Sequence, residues 1–198
     1  MTQLNPSTIS IVDRNSSFAR ANVFTVASGS PTAAAERGVS IVSQTRDGTY
    51  NRLVLQLTNV DITVTDSGGA NGGIGSLTLG SLPDGVLHLL PTVEKFTLTS
   101  QGAGIGATAI VKHSLGTAAV TGNDTLDSTE ANLVASTSAT LAASTVTSNA
   151  TGVAATAGAV GGTNSLVLNV GVADAQITAT TPLRFTGTIE IAYCRLAS

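Results

Sequence analysis

The feature that most constrains this chain of 198 residues is a strict alternation of apolar with small or polar residues near its C-terminus. Leu183, Phe185, Ile189, Ile191 and Tyr193 share one parity, and Arg, Thr, Glu and Ala residues occupy the other. Successive side chains of a β-strand point to opposite faces, so a period of two places one set in a core and the other on a surface. The pattern predicts a long strand of an antiparallel sheet over residues 183–195.

The same alternation begins earlier in the chain and breaks once. Apolar residues occupy first odd and then even positions, at Leu53, Leu55, Leu57, Val60, Ile62 and Val64. The change of parity falls at Thr58 and Asn59, and the polar residues that follow continue the extended pattern. Because one extra residue moves all later side chains of a strand to the opposite face, we expect a β-bulge at this point.

Shorter runs of the same kind predict the remaining elements. They indicate strands over 39–42, 74–82, 86–90, 93–100, 105–115, 139–147 and 165–172. Glycine-rich and proline-containing segments predict a loop at 66–73 and a turn at 83–85. The run from Asp127 to Glu130 matches a capping box and predicts one short helix that ends near residue 134. Such a pattern indicates an all-β fold, a jelly-roll-like antiparallel β-sandwich with at most one short helix.

The first fifty residues differ from the rest of the chain. Residues 1–50 have weak periodicity and predict an extended N-terminal arm that becomes ordered on contact with partners, whereas residues 51–198 predict the jelly-roll domain. Five basic and three acidic residues up to position 52 give +2, and four basic and nine acidic residues beyond it give −5. A basic arm joined to an acidic body predicts contact with an acidic partner. The candidate partner-binding residues are Arg14, Arg20, Arg37, Arg46 and Arg52.

The composition argues against several classes of protein. Charged residues make up 11% and aromatic residues 3% of the chain, so basic residues are too few, and too rarely next to rings, for a nucleic-acid partner. We expect no membrane partner, because no apolar run reaches the length that crosses a bilayer. A single cysteine, Cys194, rules out an internal disulfide framework, and without a secretion signal we expect synthesis and folding in a reducing cytosol.

Few residues offer chemistry. His88 and His113 each lie in an apolar, strand-like run, and we expect half-buried structural histidines and not catalytic bases. Asp124, Asp127 and Glu130 are the densest group of carboxylates, and helix capping in a solvated loop explains them better than a calcium site does. Two histidines and one cysteine cannot build the usual tetrahedral zinc site. We therefore expect no enzyme, no metal and no cofactor.

Cys194 leaves two interpretations open. It shares the parity of Glu190 and Ala192, which is opposite to that of the core residues, and this placement allows a reactive thiol on the surface. A lone cysteine is more often a small buried apolar residue, here covered by a neighbouring subunit.

The order of several segments resembles small head proteins of tailed bacteriophages. A strand leads into a proline–glycine turn, a further strand ends in Leu-Gly-Thr, and a spacer precedes the terminal strands. The resemblance covers residues 52–194, and no single motif is specific, so their order carries it. The segments are Leu53–Thr65, Asn71–Leu79, Leu82–Val86, Gly106–Thr117, Leu126–Leu133, Leu166–Val172 and Phe185–Tyr193.

This resemblance implies a capsid decoration, or cement, protein with a jelly-roll body. Such a protein is often a homotrimer and binds the outer surface of the phage head, where it stabilises the shell by bridging copies of the major capsid protein. Its location would be the virion, after synthesis in the host cytoplasm. The resemblance assigns no role to individual residues, because such a function is spread over a surface.

A different kind of virion protein remains as the alternative. A receptor-binding or glycan-binding module of a fibre or tail can also be a jelly roll. Sugar sites usually use aromatic platforms, and the four Phe and two Tyr residues of this chain mostly fit core or arm positions. The major shell protein itself is disfavoured, because its common fold needs a long helix and a larger chain.

Overall fold

The computed structural model describes residues 24–28, 33–47, 50–82, 87–89, 92–141, 146–152 and 164–195. These residues form eleven strands and three short 3-10 turns, without an α-helix among them, which confirms the all-β fold. The strands are β1 (Thr25–Val26), β2 (Val39–Asp47), β3 (Tyr50–Asp66), β4 (Gly73–Leu82), β5 (Leu87–Leu89), β6 (Thr92–Ser100), β7 (Ile110–Gly116), β8 (Val134–Thr140), β9 (Val146–Gly152), β10 (Asn164–Val172) and β11 (Thr181–Arg195).

Eight of the strands build a jelly roll. Antiparallel pairs form between β3 and β11, β4 and β10, β6 and β9, and β7 and β8, so the first body strand pairs with the last, the second with the second-last, and so on inward. Together these four pairs form a long two-stranded ribbon. When the ribbon folds over on itself, β11 also pairs with β6, and β10 with β7. A short pairing of β3 with β4 joins all eight strands into one folded sheet. Its two packed layers are called here the β3 sheet (β3-β11-β6-β9) and the β4 sheet (β4-β10-β7-β8).

The predicted bulge is present in β3. Leu57 pairs with Gly187 and Val60 with Phe185, so Thr58 and Asn59 together lie opposite one residue of β11. Asn59 has a φ of 53°, in the left-handed region that asparagine tolerates better than most residues. Apolar side chains on both sides of the bulge therefore reach the same core.

The core lies between the two sheets and is built mainly from Leu, Val and Ile. Leu53, Leu55 and Leu57 before the bulge are buried, as are Val60, Ile62 and Val64 after it. The alternating residues of β11 face them from the next strand and are buried from Leu183 to Tyr193. The parity of the sequence thus predicts which side of these two strands faces the interior.

The described residues before position 50 pack onto the body. β1 pairs with β4, and β2 pairs with β3 along its length, so the short strand predicted over 39–42 is part of a strand of nine residues. Phe24, Ala34 and Val39 are buried in the core. Residues 1–23 of the predicted arm lie outside the described residues.

Two predicted strand boundaries are wrong. The strand predicted over 105–115 begins only at Ile110, and a turn with a single bridge from Ile105 to Ile177 precedes it. The strand predicted over 139–147 is two strands, β8 and β9, which end and begin at residues 140 and 146. Runs of Ala, Ser and Thr give little periodicity, so the sequence does not place the ends of these strands.

The predicted helix after Asp127 is also wrong. Only a 3-10 turn over Ser128–Glu130 forms, and the Asp127 side chain makes no capping hydrogen bond. The carboxylate of Glu130 accepts a hydrogen bond from the Thr121 backbone N–H, and its carbonyl accepts bonds from Ser114 and Asn169. Because contacts with other strands use these groups, the segment does not continue as a helix.

Candidate functional site

The two sheets differ in what lies on their outer faces. Residues 117–133, which connect β7 to β8 and which we call the covering loop, lie across the outer face of the β4 sheet. Under this loop even the outward residues Val167, Asn169 and Gly171 of β10 are buried. Gly116 of β7 leaves no space for a Cβ, because the backbone of Thr129 and Glu130 lies directly over it.

Asn169 fastens the covering loop to the sheet. Its Nδ2 donates hydrogen bonds to the carbonyls of Ala118 (2.9 Å) and Glu130 (2.8 Å), and its Oδ1 accepts one from the Val120 N–H (2.9 Å). We did not predict this role of Asn169 from the sequence. The signal was available, because Asn169 is the one polar residue in the apolar run from Leu166 to Val170, and a buried amide requires partners.

The three carboxylates considered for calcium do not meet. Asp124 forms an ion pair with Lys112 of β7, with 2.7 Å between Oδ2 and Nζ, and Glu130 is bound to the Thr121 N–H. Asp127 is exposed. Within the described ranges no group of three or more histidine, cysteine or acidic side chains is placed to hold a metal ion.

No described segment covers the outer face of the β3 sheet, which we call the open face. Its side chains come from β3, β11 and β6 and are half-buried or exposed. Threonines form the centre, and an exposed lysine and an exposed valine (41%) lie beside them. The residues are Arg52, Val54, Gln56, Asp61, Val93, Lys95, Thr97, Thr99, Arg184, Thr186, Thr188 and Glu190.

Two bidentate ion pairs neutralise most of the charge on the open face. Arg184 donates from Nε and Nη2 to the two oxygens of Asp61, which is its direct cross-strand neighbour, at 2.7 and 2.8 Å. Arg52 donates in the same way to Glu190 at 2.6 and 2.8 Å. Hydrogen bonding to the arginine is the largest cause that holds the pKa of each carboxyl group below its ordinary value.

Of the candidate arginines, the two whose side chains are described, Arg37 and Arg52, lie apart. Arg52 lies at one end of the open face, and Arg37, whose charge helps to lower the pKa of Asp61, lies near the other. Positions 52 and 61 are nine residue steps apart along β3, or about 30 Å at the rise of a strand. Arg46 lies in β2, but its side chain is outside the described part of the structure, as are Arg14 and Arg20 altogether.

His113 is fully buried, so the expectation of a half-buried side chain is wrong. Its Nδ1 lies 3.2 Å from Oε2 of Glu94, and both side chains have no exposed surface. The ring of Phe96 packs edge-on against the imidazole with 5.6 Å between centroids. Because no solvent reaches the pair, it cannot contact a substrate without opening of the sandwich. The side chains of His88 and Cys194 lie outside the described residues, so the two interpretations of Cys194 stay open.

A signal for this buried pair was also present in the sequence. Glu94 has the parity of Phe96 and Leu98, which are core residues, and a carboxylate at a core position requires a partner. The partner could not be named from the sequence, since Glu94 and His113 lie on strands of different sheets.

A shallow groove of about 400 Å³ lies at the end of the sandwich, where β6 turns towards β7. It is lined by the residues of 98–107 that follow the core strand and by Leu141, without a charged or aromatic side chain. Such a lining offers neither a stacking platform nor a titratable group. The open face is therefore the best candidate for a functional surface among the described residues.

No family model matches this chain, and none of the curated proteins or solved structures compared with it matches either. In the described part of the chain, no helix has the length and apolarity that a membrane span needs. The function has to be inferred from the fold and from the open face.

Proposed function

We propose that this chain is a virion structural protein, a capsid decoration protein that binds the outer surface of a phage head and stabilises the shell by bridging copies of the major capsid protein. The observation that carries the proposal is the contrast between the two sheets. Among the described residues, the covering loop buries the outer face of the β4 sheet, whereas the outer face of the β3 sheet stays half-exposed and carries a net charge of only +1, from three basic and two acidic side chains. A broad surface of this kind suits contact with another protein better than the binding of a small molecule.

The chemistry of the open face supports a protein partner. The Asp61–Arg184 and Glu190–Arg52 pairs are already bonded within the chain, so they can be covered without an unpaired charge. The threonine hydroxyls between them can donate and accept hydrogen bonds at a contact. Val93 and Val54 supply apolar area beside the Arg52–Glu190 pair.

The stabilising action follows from mass action. A protein that binds the assembled shell but not the free subunits shifts the equilibrium towards the shell at every occupied site. The N-terminal arm contributes to this binding in the proposal, with its arginines on an acidic surface of the shell or of an adjacent subunit. The body itself forms a homotrimer.

The first test is co-expression with the major capsid protein that is encoded in the same genome, followed by quantitative mass spectrometry of purified shells. We expect a copy number on the scale of the number of shell subunits. A few copies per particle, or copies only in tail fractions, would contradict decoration and favour a fibre or tail module. A genome that encodes no major capsid protein would contradict the proposal outright.

The second test separates arm from body. Deletion of residues 1–23 keeps Phe24, β1 and β2, which belong to the folded core, so the variant should fold. We expect the same trimer in sedimentation equilibrium and a large loss of occupancy on shells. Full occupancy of the deletion variant would refute the role of the arm, and a monomeric full-length chain would refute the trimer.

A further inference from the structure

β2 is an edge strand of the β3 sheet. It pairs with β3 on one side, and no described strand pairs with its other side. Two large apolar side chains are exposed on it, those of Ile41 (38%) and Val42 (61%). Charged residues, proline and bulges usually protect an edge strand from further pairing. Apart from a bulge at Val42, residues 39–45 contain none of these, so the edge is open to an added strand.

The hydrogen-bond pattern shows which backbone groups of β2 face this free edge. The Thr58 N–H donates to the Gly38 carbonyl, so these two residues are a hydrogen-bonded pair next to the β2–β3 ladder. Bonded and non-bonded pairs alternate along an antiparallel ladder, so Ser40 is bonded to β3 and Ile41 is not. The N–H and C=O of Ile41 therefore point away from β3, and neither forms a hydrogen bond with another described residue.

A buried side-chain amide at the same edge also lacks a partner. Ile41 and Gln44 lie opposite Leu55 and Leu53, two core residues of β3, so their side chains lie on the inner side of the sheet. Nε2 of Gln44 is buried without a hydrogen-bond acceptor among the described residues. Because buried polar groups are nearly always hydrogen-bonded, we expect the acceptor to come from a segment that lies against this edge.

The N-terminal arm contains a segment that matches the edge. Residues 1–23 lie outside the described residues, and within them residues 8–12 have the sequence Thr-Ile-Ser-Ile-Val. The last four of these differ at one position from residues 39–42 of β2, Val-Ser-Ile-Val. We propose that residues 8–12 add to the free edge of β2 of the same chain as a further strand.

The side chains of the arm segment suit both sides of the sheet. Ile9 and Ile11 share one parity, and on the inner side they cover the exposed part of Ile41. Ser10 then lies on the outer side beside the exposed Ser40. Backbone groups of the added strand bond the free N–H and C=O of Ile41, and one of its carbonyls is an acceptor for the buried amide. Strand addition of this kind takes its affinity from backbone hydrogen bonds and its specificity from alternate side chains.

The chain's own arm is the occupant because it is tethered close to the edge. The arm joins the body at Phe24, which is buried in the core, and Ala27 accepts a hydrogen bond from Ala35, just before β2. The twelve residue steps from Val12 to Phe24 span up to about 40 Å, which is enough to reach β2. A tether of this length gives the segment a much higher effective concentration than a second copy has in solution.

The added strand has a consequence for the basic residues of the arm. Arg14 and Arg20 lie between residue 12 and Phe24, so both belong to a loop that is held at each end. Such a loop loses less conformational entropy than a free arm when it binds a partner. The strand itself needs no partner, so it is tested on the isolated chain, and its failure would leave the decoration proposal standing.

The first experiment is disulfide trapping in a Cys194→Ser background. Ser40→Cys supplies a thiol on the outer side of β2, and the second thiol is placed in turn at each outward position of the arm segment. These variants are Thr8→Cys, Ser10→Cys and Val12→Cys. At least one pair should form a disulfide within a monomer, because facing residues of paired strands lie close enough for one.

The matched control moves the β-sheet thiol to Thr97→Cys, in the middle of the open face. Trapping with Ser40→Cys should be at least about tenfold faster than with Thr97→Cys, as expected for a positioned and not a freely moving segment. Equal rates at the two positions would overturn the proposal. Disulfide-linked dimers in place of linked monomers would overturn the assignment to the same chain.

Hydrogen exchange of the Ile41 amide gives an independent readout. In the wild-type chain the added strand protects this N–H, so its exchange should be at least about tenfold slower than in the variant that lacks residues 1–23. Ile11→Asp places a charge on the apolar side of the added strand and should remove the protection. Thr2→Asp adds the same charge outside the segment and should keep it. Fast exchange in the wild type, or equal exchange in the two aspartate variants, would contradict the proposal.

Discussion

The outer faces of the two sheets are made from similar strands but meet different surroundings. On the β4 sheet the outward residues of β10 are an asparagine, a valine and a glycine, and the covering loop buries them. On the β3 sheet the outward residues are threonines and two ion pairs that stay half-exposed. Small residues and one amide allow a backbone to lie close to a sheet, whereas long paired side chains keep it away.

This difference assigns a separate role to each face: the covered face stabilises the fold, and the open face is available to bind a partner. The covered face contributes to the free energy of unfolding, because its buried polar groups depend on one another. The open face should tolerate substitution in the isolated protein, and its importance should appear only when a partner is bound. The predictions below test this division on both faces, in order of decreasing effect on stability.

The largest effect is expected at Asn169. Replacement by alanine removes three hydrogen bonds beneath the loop, those to the Val120 N–H and to the carbonyls of Ala118 and Glu130. Ser76 still accepts from the Val120 N–H, and Ser114 still donates to the Glu130 carbonyl. At about 1 kcal/mol for each of the three hydrogen bonds lost, Asn169→Ala should lower the free energy of unfolding by about 3 kcal/mol. Urea unfolding measures this loss, and limited proteolysis should show earlier cleavage within residues 117–133.

The matched control is an amide on the open face. Gln56 donates to the carbonyl of Gly187 at 2.8 Å but is half-buried, so water can replace it. Gln56→Ala should cost about 1 kcal/mol or less. Equal losses for the two amides would show that the faces do not differ as we argue.

A smaller effect is expected at Gly116. A methyl group there meets the backbone of Thr129 and Glu130, so Gly116→Ala must displace the covering loop. Overpacking of this kind costs about 1–3 kcal/mol, and thermal unfolding should report it. Gly106→Ala is the control, since a Cβ at that position has open space and should change stability by no more than about 0.5 kcal/mol. A neutral Gly116→Ala would mean that the loop is not held against β7.

The smallest effect is expected for the ion pairs of the open face. The two side chains of the Asp61–Arg184 pair are 40% and 36% exposed, so Asp61→Asn should cost less than about 1 kcal/mol near neutral pH. The pKa of Asp61 is lowered in the folded state from its ordinary 3.8, so the pair stabilises the protein above that pH. This contribution disappears as the pH falls through the lowered value. Unfolding curves of wild type and variant should therefore converge in acid, and a gap that persists there would contradict the assignment.

Local features of the fold could be predicted because they depend on neighbours in the sequence. The bulge at Thr58 and Asn59 follows from the parity of six apolar residues, and the core side of β11 follows from its alternation. The helix predicted after Asp127 does not form, because the Glu130 carboxylate that would complete the capping box accepts from the Thr121 N–H instead. The Glu130 carbonyl, which a longer helix would use, accepts from Ser114 and Asn169 of other strands. A motif of four residues does not reveal hydrogen-bond partners that lie far away in the sequence.

The candidate site could be predicted only in part, for the same reason. Arg52 was singled out for a partner, but a carboxylate 138 residues away, that of Glu190, binds it within the chain. Glu94 and His113 come into contact only when the two sheets pack against each other. The open face itself depends on where the covering loop lies, and nothing in residues 117–133 alone says which sheet they will cover.

If this protein meets its partner through the open face, a charge in the middle of that face should weaken binding without changing the stability of the isolated protein. Thr97→Arg places a charge in the middle of the open face, and Thr125→Arg places the same charge on an exposed position of the covering loop. Both variants should unfold within about 0.5 kcal/mol of the wild type, because both changes are on the surface.

Occupancy on shells of the co-encoded major capsid protein is then measured for both variants. An unpaired charge buried at an interface costs about 2 kcal/mol or more, so Thr97→Arg should bind at least about thirtyfold more weakly, with Thr125→Arg unchanged. Equal binding of the two variants, or a loss confined to Thr125→Arg, would contradict the account.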